Sequence, residues 1–268
     1  MTIPFAKLHG AENDFLLTWA EHAPKVDPSL IARRICARNT GIGADGWMIV
    51  KRQGAGLEIK LYNSDGSGAE ISGNGTRCAA AFGLLKGAVS GGEVEIITGA
   101  GTKRLKMIRR EGRAFVFEMN MGSPEYKVDE ISTPLELAGR SFDATILHVG
   151  NPQCAIFVDE LPEDWRVAAA EAEKHGRFPR RTNVSFVVVR DRHRIDAVFY
   201  ERGAGETRSS GTGSTGAAAA AILRGTVESP VEIHTPAGVM TLRWNESLCL
   251  YLTGPAELIA EGDYFLEL

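Results

Sequence analysis

Two short strings stand out for the chemistry their residue types allow: Ser72-Gly-Asn-Gly-Thr76 and Ser210-Gly-Thr-Gly-Ser214. Each places a small hydroxyl side chain and two glycines ahead of an alanine-rich stretch, Arg77 to Lys86 and Ala217 to Arg224, whose composition predicts a helix. The backbone N–H groups that open a helix have no partner inside it, and the helix dipole adds positive character there. Such a start holds a carboxylate, or favours the ionised form of an acid or base at its first residue. Two such starts supply two groups of one kind to one cleft. That suits a reaction in which one face of a carbon loses a proton while the other face gains one.

The elements that must position these groups are themselves repeated. Tyr200, Ser210, Gly211, Gly213 and Gly225 each lie 138 residues after Tyr62, Ser72, Gly73, Gly75 and Gly87, and Asn151 lies 138 after Asn13. One residue out of that register, Val231-Glu-Ile-His-Thr235 answers Val94-Glu-Ile-Ile-Thr98. The repeating unit is about 120 residues, the size of a domain. In each copy a strand (Leu57 to Tyr62, Ala197 to Glu201) runs into the glycine loop, then the central helix, then a glycine suited to a left-handed turn (Gly87, Gly225), then another strand. Further strands are predicted at Gly112 to Met119, Asp143 to Val149, Ser185 to Val189 and Thr241 to Trp244, and amphipathic helices at Pro28 to Asn39 and Trp165 to His175. The expected fold is α+β with two pseudo-symmetric domains, each a mixed β-sheet curled around a central helix. They span 1–122, joined by a returning tail 260–268, and 123–259, with the crossover near Met121 to Lys127.

Composition narrows the function. With 30 lysines and arginines against 34 acidic residues, the formal charge is −4 and no basic block appears, which argues against nucleic acid as a partner. No apolar run approaches the roughly 18 residues of a membrane helix, and the first residues, Met1 to Lys7, lack the pattern of a secretion signal, so no membrane partner is expected and the expected location is the cytoplasm. The four cysteines, Cys36, Cys78, Cys154 and Cys249, form no C-x-x-C pair; they read as small core residues in a reducing compartment, and no metal site is expected.

Other motifs are weaker. Gly211-Thr-Gly-Ser-Thr-Gly216 matches a dinucleotide fingerprint literally, but a loop separates it from the preceding strand where that fingerprint requires direct succession. Asn63-Ser-Asp-Gly-Ser67 has the composition of a calcium loop without its ligand spacing and reads as a turn. His9 and His148 read as structural histidines.

A wider set of strings resembles the diaminopimelate epimerase family: His9-Gly-Ala-Glu-Asn-Asp-Phe15, Thr40-Gly-Ile-Gly-Ala-Asp-Gly46, Asn63 to Ser67, Gly73-Asn-Gly-Thr-Arg-Cys78, Gly150-Asn-Pro-Gln-Cys154, Arg181-Thr-Asn-Val184 and Glu201-Arg-Gly-Ala-Gly-Glu-Thr207. They occur in the family's order. The resemblance implies an enzyme without cofactor that interconverts LL- and meso-2,6-diaminopimelate by two-base proton transfer at the α-carbon of a free amino acid, and it implies a homodimer. It also implies substrate contacts from Asn13, Asn63, Asn151, Asn183, Glu201 and Arg202, and from backbone N–H groups of Gly73, Asn74, Gly211 and Thr212.

The sequence departs from the family at the reacting groups. The family's two proton-transfer cysteines fall at positions 72 and 210, where this chain has Ser72 and Ser210, and its usual histidine falls at Gln153. A thiol with a reference pKa near about 8.5 ionises readily at a helix start, whereas a hydroxyl is a far weaker acid and needs an adjacent base. Three readings therefore compete: an epimerase working through Ser72 and Ser210, a diaminopimelate-binding protein without turnover, and an isomerase of related fold whose base is a carboxylate such as Glu201 or Glu206. Taken singly, each serine is an ordinary N-cap and each asparagine a turn residue; their joint occurrence is what marks them.

Overall fold

In a computed structural model of the chain, which describes residues 1–267, the polypeptide forms two compact units. Leu268, the last residue of the expected returning tail, lies outside the described residues. Unit 1 comprises Met1–Met119 and Gly254–Leu268, and unit 2 comprises Asn120–Thr253. Strands dominate both, as expected for a mixed sheet wrapped on a helix.

Unit 1 contains β1 (Thr2–Gly10), β2 (Asn13–Trp19), α1 (Pro28–Ile35), β3 (Gly46–Gln53), β4 (Gly56–Asn63), β5 (Gly68–Ala69), α2 (Gly73–Leu85), β6 (Glu93–Thr98), β7 (Gly101–Glu111) and β8 (Ala114–Gly122), which carries the chain out of the unit. Unit 2 contains β9 (Glu125–Tyr126), β10 (Thr133–Leu137), β11 (Arg140–His148), β12 (Pro152–Phe157), α3 (Trp165–Glu173), β13 (Asn183–Asp191), β14 (Arg194–Glu201), β15 (Gly205–Thr207), α4 (Gly211–Leu223), β16 (Val231–Thr235) and β17 (Gly238–Trp244). The long β18 (Leu250–Phe265) begins in unit 2 beside β17 and ends in unit 1 beside β1.

The repeat in sequence is a repeat in topology. Within unit 1, β2 pairs parallel with β3 and β4 parallel with β6; within unit 2, β12 pairs parallel with β13 and β14 parallel with β16. The connections that join these parallel pairs carry the helices, since a parallel crossover is too long for a tight turn. In unit 1 the ladder β1-β2-β3-β4-β6-β7-β8-β18 returns to β1. The sheet curls around α2, which packs on β1, β2, β4, β6 and β7.

Helix α4 is the central element of unit 2 and touches β11, β12, β13, β14, β16 and β17. Its Ala217, Ala218, Ala219, Ala220 and Ala221 are fully buried, because strands on every side leave room only for a methyl group. The strands of unit 2 alternate faces accordingly. Cys154 and Ile156 of β12 face α3, whereas Ala155 faces α4.

Several ends differ from the sequence expectation. Both central helices start earlier than their alanines, at Gly73 and Gly211, so the glycines form the first turns and not a preceding loop. Packing is the reason. A Cβ at Gly75 would stand 2.2 Å from Met48 Cε, and one at Gly213 would stand 2.7 Å from Phe199 Cδ1. The dinucleotide fingerprint fails on its strand, since residues 202–210, with the short β15, separate β14 from Gly211. Helix α1 stops at Ile35, short of Asn39, because the chain turns back and the N–H groups of Ile42 and Gly43 both bond the Ile35 carbonyl. Helix α3 ends at Glu173, short of His175. The 63–67 segment is the expected turn, with Gly66 at φ +87° and Ser67 N–H donating to Asp65 Oδ1 at 2.8 Å.

Candidate active site

Both candidate acid/base residues are N-caps with extended backbone. Ser72 Oγ accepts from Gly75 N–H at 3.1 Å, and Ser210 Oγ accepts from Gly213 N–H at 3.0 Å. The cap uses a lone pair and leaves each hydroxyl its proton. Ser72 is half-buried, and Ser210 is 3% exposed. Among the described residues of the same unit, neither hydroxyl is hydrogen-bonded to an imidazole, a carboxylate or an amine. The first turn of each helix thus offers N–H groups that suit a carboxylate, beside one O–H whose weak acidity keeps it neutral.

The asparagines at the two helix starts repeat one contact. In unit 1, Asn74 Nδ2 donates to Asn13 Oδ1 at 3.4 Å; in unit 2, Asn151 Nδ2 donates to Thr212 Oγ1 at 3.2 Å, and Asn151 and Thr212 are the repeat equivalents of Asn13 and Asn74. The strand that follows each asparagine is therefore tied to the helix start it flanks.

The supports behind these contacts differ. Asn13 Nδ2 donates to Asp45 Oδ2 at 2.7 Å, and Asp45 in turn accepts from Arg38 at 2.8 Å and from Asp14 N–H at 3.1 Å. Asp14 lies between Lys7 at 3.0 Å and Arg38 at 3.1 Å; hydrogen bonds and attraction from these cations outweigh its burial and hold its carboxyl below the usual range. In unit 2 the asparagine is turned the opposite way, its NH2 toward the helix start, and an amide holds it there: Gln153 Nε2 donates to Asn151 Oδ1 at 2.6 Å. Gln153 is 1% exposed and lies against Gly216, where a Cβ would come within 2.8 Å of its Cγ.

Asn183, the first residue of β13, links three segments: its Nδ2 donates to the Pro152 carbonyl at 3.0 Å, and its Oδ1 accepts from Arg202 N–H at 3.0 Å. Glu201 ends β14, and its Oε1 accepts from Thr207 Oγ1 at 2.8 Å. The Arg202 guanidinium is exposed and donates to the Arg180 carbonyl at 3.3 Å. Unit 2 therefore gathers Asn151, Asn183, Glu201 and Arg202 at neighbouring strand ends. Unit 1 gathers Asn13, Ser72, Gly73 and Asn74. Asn63 joins no other candidate by a hydrogen bond; it donates to Ser67 Oγ at 2.9 Å in its own turn, although β4 registers it against Gly46 and Gly46 against Phe15.

Other candidates are set aside by their surroundings. Glu206 is exposed and forked onto Arg166 at 2.5 and 2.7 Å; that hydrogen bond lowers its pKa and makes it a poor base. Burial pushes the Cys36, Cys78 and Cys154 thiols up to about 12, consistent with core residues. His9 Nδ1 accepts from Glu12 N–H at 3.3 Å within the β1–β2 turn. Among the described residues no group of three or more histidine, cysteine or acidic side chains could hold a metal ion, and no helix is long and apolar enough to cross a membrane.

Two supporting residues escaped the sequence reading, Asp45 and Arg77. Arg77 is the only charged residue inside α2 and is fully buried, a departure from the helix's small and apolar composition that could have drawn notice.

The chain is similar to known proteins along nearly its whole length. The sequence profile of the family described as Diaminopimelate epimerase matches residues 5–127 and 145–259. The diaminopimelate epimerase of Moorella thermoacetica is 36% identical over 98% of this chain and 99% of its own, and that of Pelotomaculum thermopropionicum is 35% identical over 97% and 98%. Among solved structures, a Bacillus anthracis phenazine biosynthesis protein of the PhzF family superposes with a TM-score of 0.76 at 14% identity, covering 99% of this chain and 100% of that one. A hydroxyproline epimerase from Agrobacterium vitis superposes with a TM-score of 0.71 at 13% identity, covering 98% and 92%. These structural likenesses speak to the fold.

Proposed function

This chain belongs to the diaminopimelate epimerase family, and from that footing we propose that it is a cofactor-independent amino-acid epimerase interconverting LL- and meso-2,6-diaminopimelate, with Ser72 and Ser210 in the two acid/base positions. The observation that carries this reading is the equivalence of the two serines: each caps a 13-residue central helix, each accepts from the third helical N–H, and the asparagine bonded to the second residue of each helix stands at the same place in the repeat.

The substrate's α-carboxylate rests on the helix-start N–H groups. One serine, as its alkoxide, takes the α-proton and becomes a hydroxyl while the electron pair of the C–H bond moves into the carboxylate as an enediolate; the pair then returns to the α-carbon as the other serine's O–H delivers its proton to the opposite face and is left as the alkoxide. The N–H groups that hold the carboxylate also hold the charge that develops on it. Asn183, Glu201 and Arg202 serve the remote ammonium and carboxylate. The reading places the enzyme in the supply of lysine and of a peptidoglycan precursor, in the cytoplasm, as a homodimer.

Serine makes this a slow enzyme, because the proton acceptor is strong only as an alkoxide and no base of its own unit activates either hydroxyl. That same observation favours the second reading, a diaminopimelate-binding protein without turnover. The two separate on α-proton exchange of LL-diaminopimelate in heavy water. Exchange by the unaltered protein, rising at least about a hundredfold in Ser72→Cys/Ser210→Cys, supports the epimerase. Tight binding with exchange only in the cysteine variant supports the binding protein, and exchange in neither folded protein sinks the substrate assignment. Activity on a different substrate that disappears in Glu201→Gln would instead identify a carboxylate base.

A further inference from the structure

We infer that Arg77 is a positioning residue: its buried guanidinium fixes which way the side-chain amides of Asn74 and Asn13 point. The argument starts from what an amide can do. The oxygen and nitrogen of an asparagine side chain are nearly the same size, so only their partners decide its orientation. A guanidinium carries donors alone, and a carboxylate carries acceptors alone. Arg77 Nη2 donates to Asn74 Oδ1, which turns the Asn74 NH2 group toward Asn13 Oδ1 at 3.4 Å. The Asn13 NH2 group then meets Asp45 Oδ2 at 2.7 Å. The two amides stand head to tail between a cation and an anion, and flipping either one sets donor against donor or acceptor against acceptor.

The guanidinium sits in a slot made for it. Its Nε donates to the Pro255 carbonyl at 2.9 Å, and it lies flat on Gly254, where a Cβ would stand 2.9 Å from Cζ. At Gly10 a Cβ would stand 3.3 Å from Nη2. The side chain is 0% exposed, Nη1 has no hydrogen-bond partner, and among the described residues no carboxylate pairs with the group. A buried cation without a counter-ion costs stability. The repeat provides the control: the residue 138 further on is Thr215, which donates to the Gly211 carbonyl at 2.8 Å, and α4 forms the same capped helix without a cation. The helix start therefore does not require Arg77; the amide relay does. Fixed in this way, Asn13 turns its oxygen to the helix start and spends one N–H on Asp45, which leaves its second N–H for a bound carboxylate or carbonyl oxygen.

The consequence for ligand affinity rests on the amino-acid-binding reading above, and the amide orientation does not. The test records side-chain NH2 resonances of Asn13, Asn74 and Asn151 in 15N-labelled protein, together with LL-diaminopimelate affinity by calorimetry, for the parent, Arg77→Met and Arg77→Lys. We expect Arg77→Met to shift Asn13 and Asn74 and leave Asn151 in place, and to weaken binding at least about tenfold, as for loss of a hydrogen bond to a charged group. Arg77→Lys, which keeps the charge, recovers part of both. An Asn13 resonance that stays put in folded Arg77→Met overturns the inference. Should that variant fail to fold, Asn74→Ala breaks the relay at its middle, and an unmoved Asn13 resonance there overturns it equally. A parent that takes up no LL-diaminopimelate overturns the ligand reading alone, while the resonances still decide the relay.

Discussion

Helices α2 and α4 begin alike and are supported differently. Each has a serine cap, a glycine at the third position and an asparagine contact one strand away. Behind α2 the contact is oriented by charges, with Arg77 at one end and Asp45 at the other; behind α4 it is oriented by the neutral amide of Gln153. The shared part is backbone geometry, which is what an anion requires of a helix start. The unshared part sets electrostatics, and there the two copies have parted. LL- and meso-diaminopimelate are not mirror images, so two unlike acid/base positions suit that reaction at least as well as two equal ones.

The sharpest way to break this comparison is to give each copy its thiol in turn. Under the proposed function, Ser72→Cys alone and Ser210→Cys alone each restore proton removal from one face. Each single variant should exchange the α-proton of one stereoisomer at least about a hundredfold faster than the other, read by NMR in heavy water with LL- and meso-diaminopimelate supplied separately. Equal exchange of both isomers by either single variant would mean that the two serines do not address opposite faces.

Much of this arrangement was legible in the sequence because the repeat keeps its register through Tyr62, Ser72 and Gly87 and their partners, so location could be inferred by equivalence. What could not be read depends on packing between distant segments. The early start of α2 needs Met48 pressed against Gly75, and glycine on its own argues against helix. The early stop of α1 needs the returning 41–44 segment. The strands β5 and β15 span two and three residues, too few to show alternation. Arg77 was visible as a residue and opaque as a function, because its carbonyl partner lies 178 positions away and the slot around it is made by glycines that leave no pattern.

A smaller effect separates the two slots. Gly254→Ala puts a methyl group onto the Arg77 guanidinium, which is buried and bonded to the Pro255 carbonyl, and Gly216→Ala puts one onto Gln153 at Cβ and Cγ, near the backbone. Both should lose about 1–3 kcal/mol in urea unfolding, the usual cost of overpacking. Only Gly254→Ala should also move the Asn13 amide resonance, since Gly216 belongs to the neutral copy. A Gly254→Ala protein with unaltered Asn13 would show that the guanidinium has room to spare.

The smallest expected difference concerns acidity. A thiol at position 72 would have the Arg77 charge behind it in the same helix and partial access to solvent, both of which favour the thiolate; a thiol at position 210 would be nearly buried, at the 3% exposure of Ser210, with the neutral Thr215 at the place of Arg77. The sign follows directly. A nearby cation lowers a thiol pKa and desolvation raises it, so the thiol of Ser72→Cys should titrate below that of Ser210→Cys by about one pH unit, worth about 1.4 kcal/mol. Thiolate absorbance against pH measures both in a Cys249→Ala background. Cys36, Cys78 and Cys154, raised to about 12 by burial, stay silent through the neutral range. Adding Arg77→Met to Ser72→Cys should close most of the gap. If the gap is absent, or survives loss of Arg77 intact, the buried cation orients amides without acting on the reacting group, and the two copies differ in geometry alone.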